Sequence, residues 1–402
     1  MRHAGRSGVA GLLLETFPIT RSLLSLLACL QPLQGLADDH APRARDLGIP
    51  FEGTPGALNA ITDVPGVTVG HSTIVEDFAD GRAARTGVTA ILPRGEDSVF
   101  TPVFAGTAVL NGAGEMTGTI WVEASGFLEG PVVITNTNSI GTAFEATIAW
   151  RVAKAEPDVT GYTWSDPVIA ETWDGWLNDI TGFHVKPHHV HAAIESARGG
   201  AVEEGNVGGG TGMICYEFKC GIGTASRVVE TVDGAFTIGA LVQANYGARE
   251  LLRIAGVPVG QEMPLDAQAS VANSPADEMG SIIVVVATDA PLLPYQLKRL
   301  ATRAGLGIGR NGGVASNGSG DIFIAFSTGN AGEYRAGSNL SVRLLGNEHL
   351  TPVFQAAVES TEEAIINALV AARTMTGNEG RTVEAIDHAR LRDVMRRYNR
   401  LK

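Results

Sequence analysis

The sequence predicts a layered α/β sandwich, and the order of its segments is the main reason. Short β-branched runs alternate with turns rich in glycine, asparagine and proline, and helical segments lie between those runs. Strands and helices mixed along a chain in this way favour packed layers. The composition agrees, because 44% hydrophobic and only 18% charged residues allow a substantial core.

The predicted strands are short and are separated by turns. They are the runs VTVGHSTIV, GVTAILP, TIWVEASG and PVVITNTNS, followed further on by GAFTIGALVQANYG and SIIVVVATD. Within the last of these, Ile282 to Ala287 is an uninterrupted apolar run, which is typical of a strand buried on both faces. A further strand is predicted from Asp321 to Ser327.

Helices are predicted between these strands and after them. They are Thr142 to Ala155, His189 to Arg198, Pro294 to Ala304, Pro352 to Arg373 and a basic C-terminal helix from Val383. The segment from Gln261 to Gly280 has small, acidic and proline residues without a helical or strand period. It therefore predicts an exposed loop that ends directly before the apolar strand.

The charge distribution argues against a nucleic-acid partner. The formal net charge is −13, and no lysine- or arginine-rich stripe occurs outside the two termini, whereas phosphate binding depends on clustered cations. The 50 glycines fall in clusters, which indicates tight turns and close backbone approaches. The cluster GNVGGGTG at 205–212 is interpreted as such a turn, because neither a clear preceding strand nor a downstream acid supports a dinucleotide loop.

The N-terminus has the order of segments expected of an export signal. Arginines precede an apolar segment from Leu23 to Leu30, and the small residues Gly35 and Ala37 precede Asp38. The pattern predicts a signal peptide over residues 1–37 and a periplasmic or secreted protein. Leu26 to Cys29 also resembles a lipoprotein cleavage box. No other apolar stretch approaches the roughly 20 residues needed to cross a bilayer.

The cysteines and histidines predict neither a disulfide framework nor a metal site. Cys29 would leave with the signal, and Cys215 and Cys220 are interpreted as core or turn residues. Metal ligation needs several donors that converge on one point, and no second group of cysteines or histidines completes a site. Packing or surface hydrogen bonding is therefore expected for the crowded side chains His184, His188, His189, His191 and Glu195.

Ser281 is the candidate nucleophile that its setting suggests. It lies where the small-residue loop meets the buried strand, directly after Gly280. A serine hydroxyl is a weak nucleophile without a base, but a cut before Ser281 would supply an α-amine with a pKa of about 7.7–8.0. Glycine leaves the scissile carbonyl open and tolerates a strained turn. The motifs G-x-S-x-G and H-E-x-x-H and a Walker A lysine are absent from the sequence.

From about Arg45 to the C-terminus the chain resembles the family of L-aminopeptidase/D-esterases and β-aminopeptidases, which are N-terminal-nucleophile-type enzymes. The resemblance is carried by LGIPFEGTPGALNAITDVPGVTVGH, GFHVKPHHVHAAIESARGGAVEEGNVGGGTGM, GIGTASR, LVQANYG, GSIIVVVATDAPLLPYQLKRLA and NGSGDIFIAFST. It implies a four-layer αββα-like sandwich with the architecture of an N-terminal-nucleophile hydrolase. It also implies a precursor cut into an α chain, 38–280, and a β chain, 281–402, which together form one catalytic domain.

The resemblance also implies which residues act at the cut. Ser281 matches the serine that opens the family's β chain. Ser319 and Asp321 match a Ser-x-acid pair that supports the nucleophile, one hydrogen bonding the new amine while the other orients it. A cut at Gly318–Ser319 is the weaker alternative, because it would leave a shorter second chain than the family's.

Three further residues match the family's substrate site. Asn245 matches the oxyanion-hole asparagine, whose amide would donate to the tetrahedral intermediate. Glu171 matches a carboxylate that receives the substrate's free amino group. Trp173 falls where an aromatic residue, often tyrosine, lines the site. Because tryptophan has no hydroxyl, it lacks the oxyanion contact that a tyrosine would offer.

The sequence therefore predicts a self-processing serine aminopeptidase that acts through an acyl-enzyme on Ser281. The resemblance implies small peptides, amino-acid amides and esters as substrates, with β-amino acyl groups among the candidates. It also implies a homo-oligomer of αβ units, and the chemistry requires no cofactor and no metal. Two alternatives stay open: an N-terminal-nucleophile acyltransferase of the ornithine acetyltransferase type, and an uncleaved, non-catalytic binding protein.

Overall fold

Two β-sheets packed face to face form the centre of the molecule. The computed structural model describes residues 41–154, 160–231, 234–265, 280–330 and 339–401. The predicted signal peptide and most of the predicted 261–280 loop lie outside these residues. Within the described ranges, the smaller of the two sheets has four strands and the larger has six.

The strands begin and end at the following residues: β1 Thr68–Asp77, β2 Ala83–Glu96, β3 Val103–Gly112, β4 Phe127–Leu128, β5 Val132–Asn136, β6 Val168–Thr172, β7 Ile214–Cys215, β8 Phe218–Lys219, β9 Ile222–Thr231, β10 Gly234–Asn245, β11 Ser281–Thr288, β12 Gly320–Ser327, β13 Met375–Thr376 and β14 Thr382–Val383. The smaller sheet has the strand order β1-β2-β5-β6, and the larger sheet has the order β4-β3-β12-β11-β10-β9. The helices are α1 Thr119–Ser125, α2 Ile140–Lys154, α3 Pro187–Glu195, α4 Val259–Glu262, α5 Pro294–Arg310, α6 Leu350–Val370 and α7 His388–Arg397.

Helices cover the outer face of each sheet, so the layers follow the predicted order α-β-β-α. Side chains of α2 and α3, among them Trp150 and Val190, pack with Val133 on the smaller sheet. On the other side, α5 and α6 pack on the larger sheet through residues such as Leu300 and Ile365. A separate apolar cluster fills the space between the two sheets. The four-layer sandwich predicted from the sequence is confirmed.

Strand β11 explains why an uninterrupted apolar run occurs at its position. All of its residues are buried. Alternate side chains point to opposite faces of a strand. Ile283 and Val285 therefore lie in the layer between the sheets, while Ile282 and Val284 face the helices. Because neither face meets water, no polar residue occurs between Ser281 and Thr288, the two ends of the strand, and the prediction of a doubly buried strand is confirmed.

The prediction of a strand for TIWVEASG is wrong, because residues Thr119–Ser125 form helix α1. The β-branched residues favour a strand, but only Val122 of the helix is buried, and Ile120 is 87% exposed. A half-buried strand would place alternate residues in the core. Glycines with positive φ bound the helix instead: Gly118 at 71° and Gly126 at 81°, positions that glycine adopts without strain.

The cysteine prediction is also wrong in part. Cys215 and Cys220 are fully buried, as core residues would be, but they form a disulfide. Strands β7 and β8 pair in a hairpin whose two turn residues, Tyr216 and Glu217, both have positive φ. Asn-Gly or Asp-Gly is the usual signal for such a turn. Because neither is present, the sequence did not indicate the hairpin that brings the two cysteines together.

The C-terminal helix begins later than predicted. Thr382–Val383 is strand β14, which pairs with β13, and α7 starts at His388. The start is fixed by Asp387, whose carboxylate accepts a hydrogen bond from the Arg390 N–H at 3.0 Å. Among the described residues, no helix is long and apolar enough to cross a membrane.

Candidate active site

Ser281 lies at the first position of β11, between two strands whose ends carry the other candidate residues. Asn245, the last residue of β10, is its antiparallel partner, and Gly320, the first residue of β12, is its parallel partner. Neighbouring strands are about 4.8 Å apart. The register alone therefore places Asn245, Ser281 and the Ser319–Asp321 segment at one end of the larger sheet.

The carbonyl of Gly280 accepts two hydrogen bonds at this point. The Ser281 Oγ donates to it at 2.6 Å, and the Gly320 N–H donates to it at 3.1 Å. Ser281 itself is only 4% exposed. A buried hydroxyl thus contacts the carbonyl group of the preceding peptide bond, and a backbone N–H polarises the same oxygen.

Ser319 and Asp321 form a buried pair beside this peptide bond. The Ser319 Oγ donates to Asp321 Oδ1 at 2.7 Å, and both residues are buried. Burial raises the pKa of the Asp321 carboxyl, and the hydrogen bond from Ser319 partly offsets this effect. The second oxygen, Oδ2, is buried and has no hydrogen-bond partner within the described ranges. It is thus available to a donor that arrives at the site.

The side chain of Asn245 is held by its carbonyl end. Its Oδ1 accepts the Ile214 N–H at 2.9 Å. No acceptor takes up its NH₂ group in the part of the chain that the structure describes. The amide oxygen is therefore occupied, while the donor end of the same side chain remains available next to Ser281.

Glu171 lies at the end of β6 in the smaller sheet and is buried. Its Oε1 accepts the Glu115 N–H at 3.1 Å, and its Oε2 accepts the Thr137 hydroxyl. Burial raises the pKa of Glu171, the two hydrogen bonds lower it, and the charge of Glu115 raises it slightly. The carboxylate is therefore oriented by fixed donors and weakly solvated, which suits it to pair with a cation.

Gly114 connects this carboxylate with the Ser281 strand end. A Cβ atom at Gly114 would lie 3.1 Å from Glu171 Oε1 and also 3.1 Å from the Cα of Gly320. The space beside the Gly114 Cα is therefore bounded by the carboxylate and by the residue that pairs with Ser281. A larger residue would have to push one of them away.

Trp173 is less closely connected to the site. It is half-buried, and its ring lies over Gly175, where a Cβ would come within 2.6 Å of the ring. Its indole N–H makes no hydrogen bond to any described residue. Its predicted place in the site wall stays a prediction.

The segments that sequence reasoning set aside have structural explanations. Gly208–Gly210 is a buried turn, and a Cβ on Gly210 would lie 2.5 Å from the Ile222 nitrogen. His184 pairs with Asp179 at 3.2 Å, and His191 contacts the Ala146 carbonyl at 3.0 Å. Across the described chain, no three histidine, cysteine or acidic side chains are placed to hold a metal ion.

Two contributors to the site were not predicted from the sequence. The Gly320 N–H is a backbone group, and no residue type marks a backbone donor. Thr137 is the other, because its hydroxyl orients Glu171 from a different strand end. The glycine before Asp321 is the one available signal, since a glycine lets other chain segments approach closely.

Asp174 is a buried carboxyl near Glu171. Asn178 donates to its Oδ1 at 2.9 Å, whereas its Oδ2 is buried without a partner among the described residues. Burial raises its pKa to about 7, although Thr86, Asn178 and Asn136 partly offset the effect. The Oδ1 of neighbouring Asn136 is also buried and unpartnered in the described chain. A proton on Asp174 Oδ2 would let this oxygen donate a hydrogen bond to Asn136 Oδ1.

We therefore expect Asp174→Asn to change how stability depends on pH. In the wild type the folded pKa is raised, so stability is fully present below the unfolded pKa of about 4 and is lost as pH rises towards 7. Between pH 5 and 8 the wild type should lose roughly 2–3 kcal/mol relative to D174N, since each pKa unit is worth about 1.4 kcal/mol. Urea unfolding at both pH values measures this. The exposed carboxylate variant Asp393→Asn is the control, and equal pH slopes for wild type and D174N would contradict the expectation.

Comparison with known proteins assigns the fold and the family. The structure of an L-aminopeptidase D-Ala-esterase/amidase from Ochrobactrum anthropi, a prototype of the serine aminopeptidases with a variant of the Ntn hydrolase fold, superposes with a TM-score of 0.83 at 53% identity. It covers 90% of this chain and 100% of that one. A β-aminopeptidase from a Burkholderia species gives a TM-score of 0.79 at 49% identity, covering 89% and 99% of the two chains. The fold is that of an Ntn-type serine aminopeptidase.

Sequence comparison narrows this class to one family. The profile of peptidase family S58 matches residues 59–383. The β-peptidyl aminopeptidase BapA of Sphingosinicella microcystinivorans is 52% identical over 383 residues, covering 92% of this chain and 96% of the relative. The chain belongs to peptidase family S58 and is an aminopeptidase. The predicted family and enzyme class are thereby confirmed.

Proposed function

We propose that the chain cuts itself between Gly280 and Ser281 and then uses Ser281 as the nucleophile of an aminopeptidase. The observation that carries this proposal is the pair of hydrogen bonds on the Gly280 carbonyl, one from the Ser281 hydroxyl and one from the Gly320 N–H. The products would be an α chain, 38–280, and a β chain, 281–402, that remain associated. Their shared sheet supports association, because β11 is flanked on both sides by paired strands.

Self-cleavage would proceed by transfer of the Gly280 acyl group. The Ser281 Oγ attacks the Gly280 carbonyl carbon, and the oxygen of that carbonyl gains negative charge. The Gly320 N–H already donates to this oxygen. The Asn245 NH₂ group, on the strand paired with Ser281, would be the second donor that stabilises the charge. The C–N bond then breaks, the Oγ proton ends on the freed Ser281 nitrogen, and water hydrolyses the Gly280 ester. The new amine is left beside the hydroxyl that it must activate.

The mature site would repeat these steps on a substrate. The Ser281 amine accepts the Oγ proton as the hydroxyl attacks, and it returns that proton to the leaving group. The unpartnered Asp321 Oδ2 supports a position for this amine, with Ser319 holding the other carboxyl oxygen. The substrate carbonyl takes the place of the Gly280 carbonyl. Serine, amine and carboxylate suffice for this reaction, so we propose no cofactor and no metal.

Glu171 would make this enzyme an aminopeptidase by receiving the substrate's ammonium group. Its two oxygens are fixed by Thr137 and the Glu115 N–H. A Cβ at Gly114 would contact both Oε1 and the Cα of Gly320, so the carboxylate lies close to the strand end that pairs with Ser281. A carboxylate close to this strand end would suit a substrate with a short segment between its ammonium group and its reacting carbonyl. Burial strengthens the pairing because little water competes for the charge.

The proposed substrates are small peptides, amino-acid amides and esters with a free amine. The Sphingosinicella relative is named a β-peptidyl aminopeptidase and the Ochrobactrum protein an L-aminopeptidase D-Ala-esterase/amidase. These names support including β-amino acyl groups in the proposal. We also propose a homo-oligomer of αβ units and export to the periplasm or the medium. The signal-like N-terminus and the Cys215–Cys220 disulfide support export, since disulfides persist in oxidising compartments.

Glu171→Gln is the variant that tests the aminopeptidase assignment. The change removes the charge and nearly keeps the shape, so kcat/KM for free-amine substrates should fall about ten- to a hundredfold, the value of one charge-assisted hydrogen bond. Self-cleavage presents no ammonium to Glu171 and should proceed. The measurement is hydrolysis of free and N-acetylated aminoacyl p-nitroanilides.

The matched control is Glu115→Gln, which neutralises an exposed carboxylate nearby and keeps the backbone N–H that holds Glu171. It should retain the preference for free amines. If wild type hydrolyses both substrates equally, or E171Q keeps the preference, Glu171 is not the receptor of the amine.

A further inference from the structure

Lys219 is a fully buried lysine that contacts backbone carbonyls instead of an acid. Its Nζ donates to the carbonyl oxygens of Cys220 at 2.6 Å, Met213 at 2.7 Å and Gly210 at 3.4 Å. No carboxylate pairs with it within the described ranges. Burial lowers its pKa well below the ordinary value for lysine. Buried lysines are rare unless they are paired, so the three carbonyls define what this side chain does.

The three carbonyls belong to one loop, residues 210–220, which we call the carbonyl loop. An ammonium group has three N–H donors that can point at three acceptors, and here they join the start, the middle and the end of the loop. The Cys215–Cys220 disulfide closes the second half of the same loop covalently. Two of its residues, Tyr216 and Glu217, have positive φ, which disfavours this conformation when the chain is free.

The carbonyl loop contacts the residues at the end of β10. The Ile214 N–H donates to Asn245 Oδ1 at 2.9 Å, and the Tyr216 N–H donates to the Tyr246 carbonyl at 2.8 Å. Ile214 directly follows Met213, whose carbonyl Lys219 holds. The Ile214 N–H and the Met213 carbonyl belong to one planar peptide unit. The Cys220 N–H also donates to the Met213 carbonyl, at 3.0 Å. Lys219 and this N–H therefore fix one side of a peptide plane whose other side fixes the Asn245 amide.

We propose that Lys219 is a positioning residue for the oxyanion donor, acting through the Met213–Ile214 peptide on Asn245. The proposal rests on the role proposed for Asn245 in stabilising the tetrahedral intermediate. By holding Oδ1, the peptide directs the NH₂ end towards the reacting carbonyl beside Ser281. Lys219 does not touch the substrate, so its effect is confined to the orientation of another donor.

A positioning role for Lys219 predicts kinetic effects that a purely structural role would not produce. Loss of the ammonium should lower kcat at least about tenfold. The Asn245 NH₂ group would be less well oriented, and part of the 10²–10³-fold rate effect of an oxyanion-hole donor would be lost. KM should change little, since Glu171 still binds the substrate amine. In the absence of the Asn245 side chain, however, the ammonium has no oxyanion donor left to direct.

A double-mutant cycle on the self-processed enzyme tests the proposal. We would measure kcat and KM for an aminoacyl p-nitroanilide with wild type, Lys219→Met, Asn245→Ala and the double variant, normalising each rate to the 281–402 chain found by mass spectrometry. K219M should lower kcat in the wild-type background and leave it unchanged within about twofold in the N245A background. The matched control, Lys186→Met, removes an exposed lysine that donates to the Phe183 carbonyl and should change neither kinetic constant.

The proposed role of Lys219 would be overturned if K219M lowered kcat equally in the wild-type and N245A backgrounds. It would also be overturned if K219M did not lower kcat in the wild-type background. If N245A itself keeps wild-type kcat, the oxyanion assignment fails instead, and the cycle reports this separately. Should K219M not fold, Lys219→Gln carries the cycle, because its amide keeps two N–H donors for the carbonyls. K219Q should then lie between wild type and N245A in kcat, and a K219Q loss that persists in the N245A background would overturn the proposal.

Discussion

Ser281→Ala is expected to remain a single uncut chain and to lose aminopeptidase activity. Alanine has no oxygen to attack the Gly280 carbonyl, so the acyl transfer that would open the chain cannot begin. Without the cut there is also no free amine at residue 281 and no hydroxyl to acylate. We expect kcat/KM to fall by at least about 10⁴-fold, as when a nucleophile is removed from a serine hydrolase.

Mass spectrometry of the denatured protein provides the measurement. Wild type should give a chain that starts at Ser281 and ends at Lys402, together with a partner that ends at Gly280, and the two should separate only in denaturant. Ser281→Ala should give one intact mass. Ser319→Ala is the informative companion, because it keeps the nucleophile and removes only the hydroxyl that binds Asp321. It should therefore still be cut, but more slowly.

Two results would contradict this assignment. A wild-type protein of one intact mass would favour the uncleaved binding protein, and a second chain that starts at Ser319 would move the nucleophile. Two hydrogen bonds make the second result unexpected: the Ser319 hydroxyl donates to the Asp321 carboxylate, whereas the Ser281 hydroxyl donates to the carbonyl of the preceding peptide bond.

The layered fold was predictable because burial leaves a strong pattern in the sequence. The run from Ile282 to Ala287 is apolar on both faces, as expected for a strand that is buried between two layers. Where few residues are buried, the hydrophobic pattern did not predict the correct secondary structure. Helix α1 is almost entirely exposed, so its β-branched residues carried a propensity that no packing supported.

From its setting alone, the sequence indicated one residue of the candidate site, Ser281; Asn245, Glu171 and the Ser319–Asp321 pair were predicted from the family resemblance. Ser281 and Asn245 stand at the boundary between an apolar run and a loop, and the register then makes them neighbours. The Gly320 N–H and the Met213–Ile214 peptide are backbone groups, so no residue type reveals them. The disulfide and the buried Lys219 depend on a hairpin without a turn signal. These features could not be derived before the structure gave the register.

Asn245→Ala is expected to lower kcat by about 10²–10³-fold, because it removes a donor from the oxygen that becomes charged in the transition state. KM should change little, since the side chain does not bind the ground-state amine. Self-cleavage should slow as well, because both reactions pass through a tetrahedral intermediate at the same place. Steady-state hydrolysis and the rate at which the 281–402 chain appears are the two measurements.

A second substitution separates the donor from the structural bond at the other end of the amide. Asn245→Ala also deprives the Ile214 N–H of its acceptor, so a loss of activity could come from a displaced loop. Asn245→Asp keeps an oxygen for Ile214 but has no N–H, and its negative charge opposes the oxyanion. It should therefore lose at least as much activity as N245A while unfolding nearer to the wild-type temperature. Thr237→Ala, at the far end of β10, is the control and should retain full activity. If N245D matures normally and hydrolyses amides at the wild-type rate, the oxyanion is stabilised without Asn245, and the Gly320 N–H is left as the donor to test.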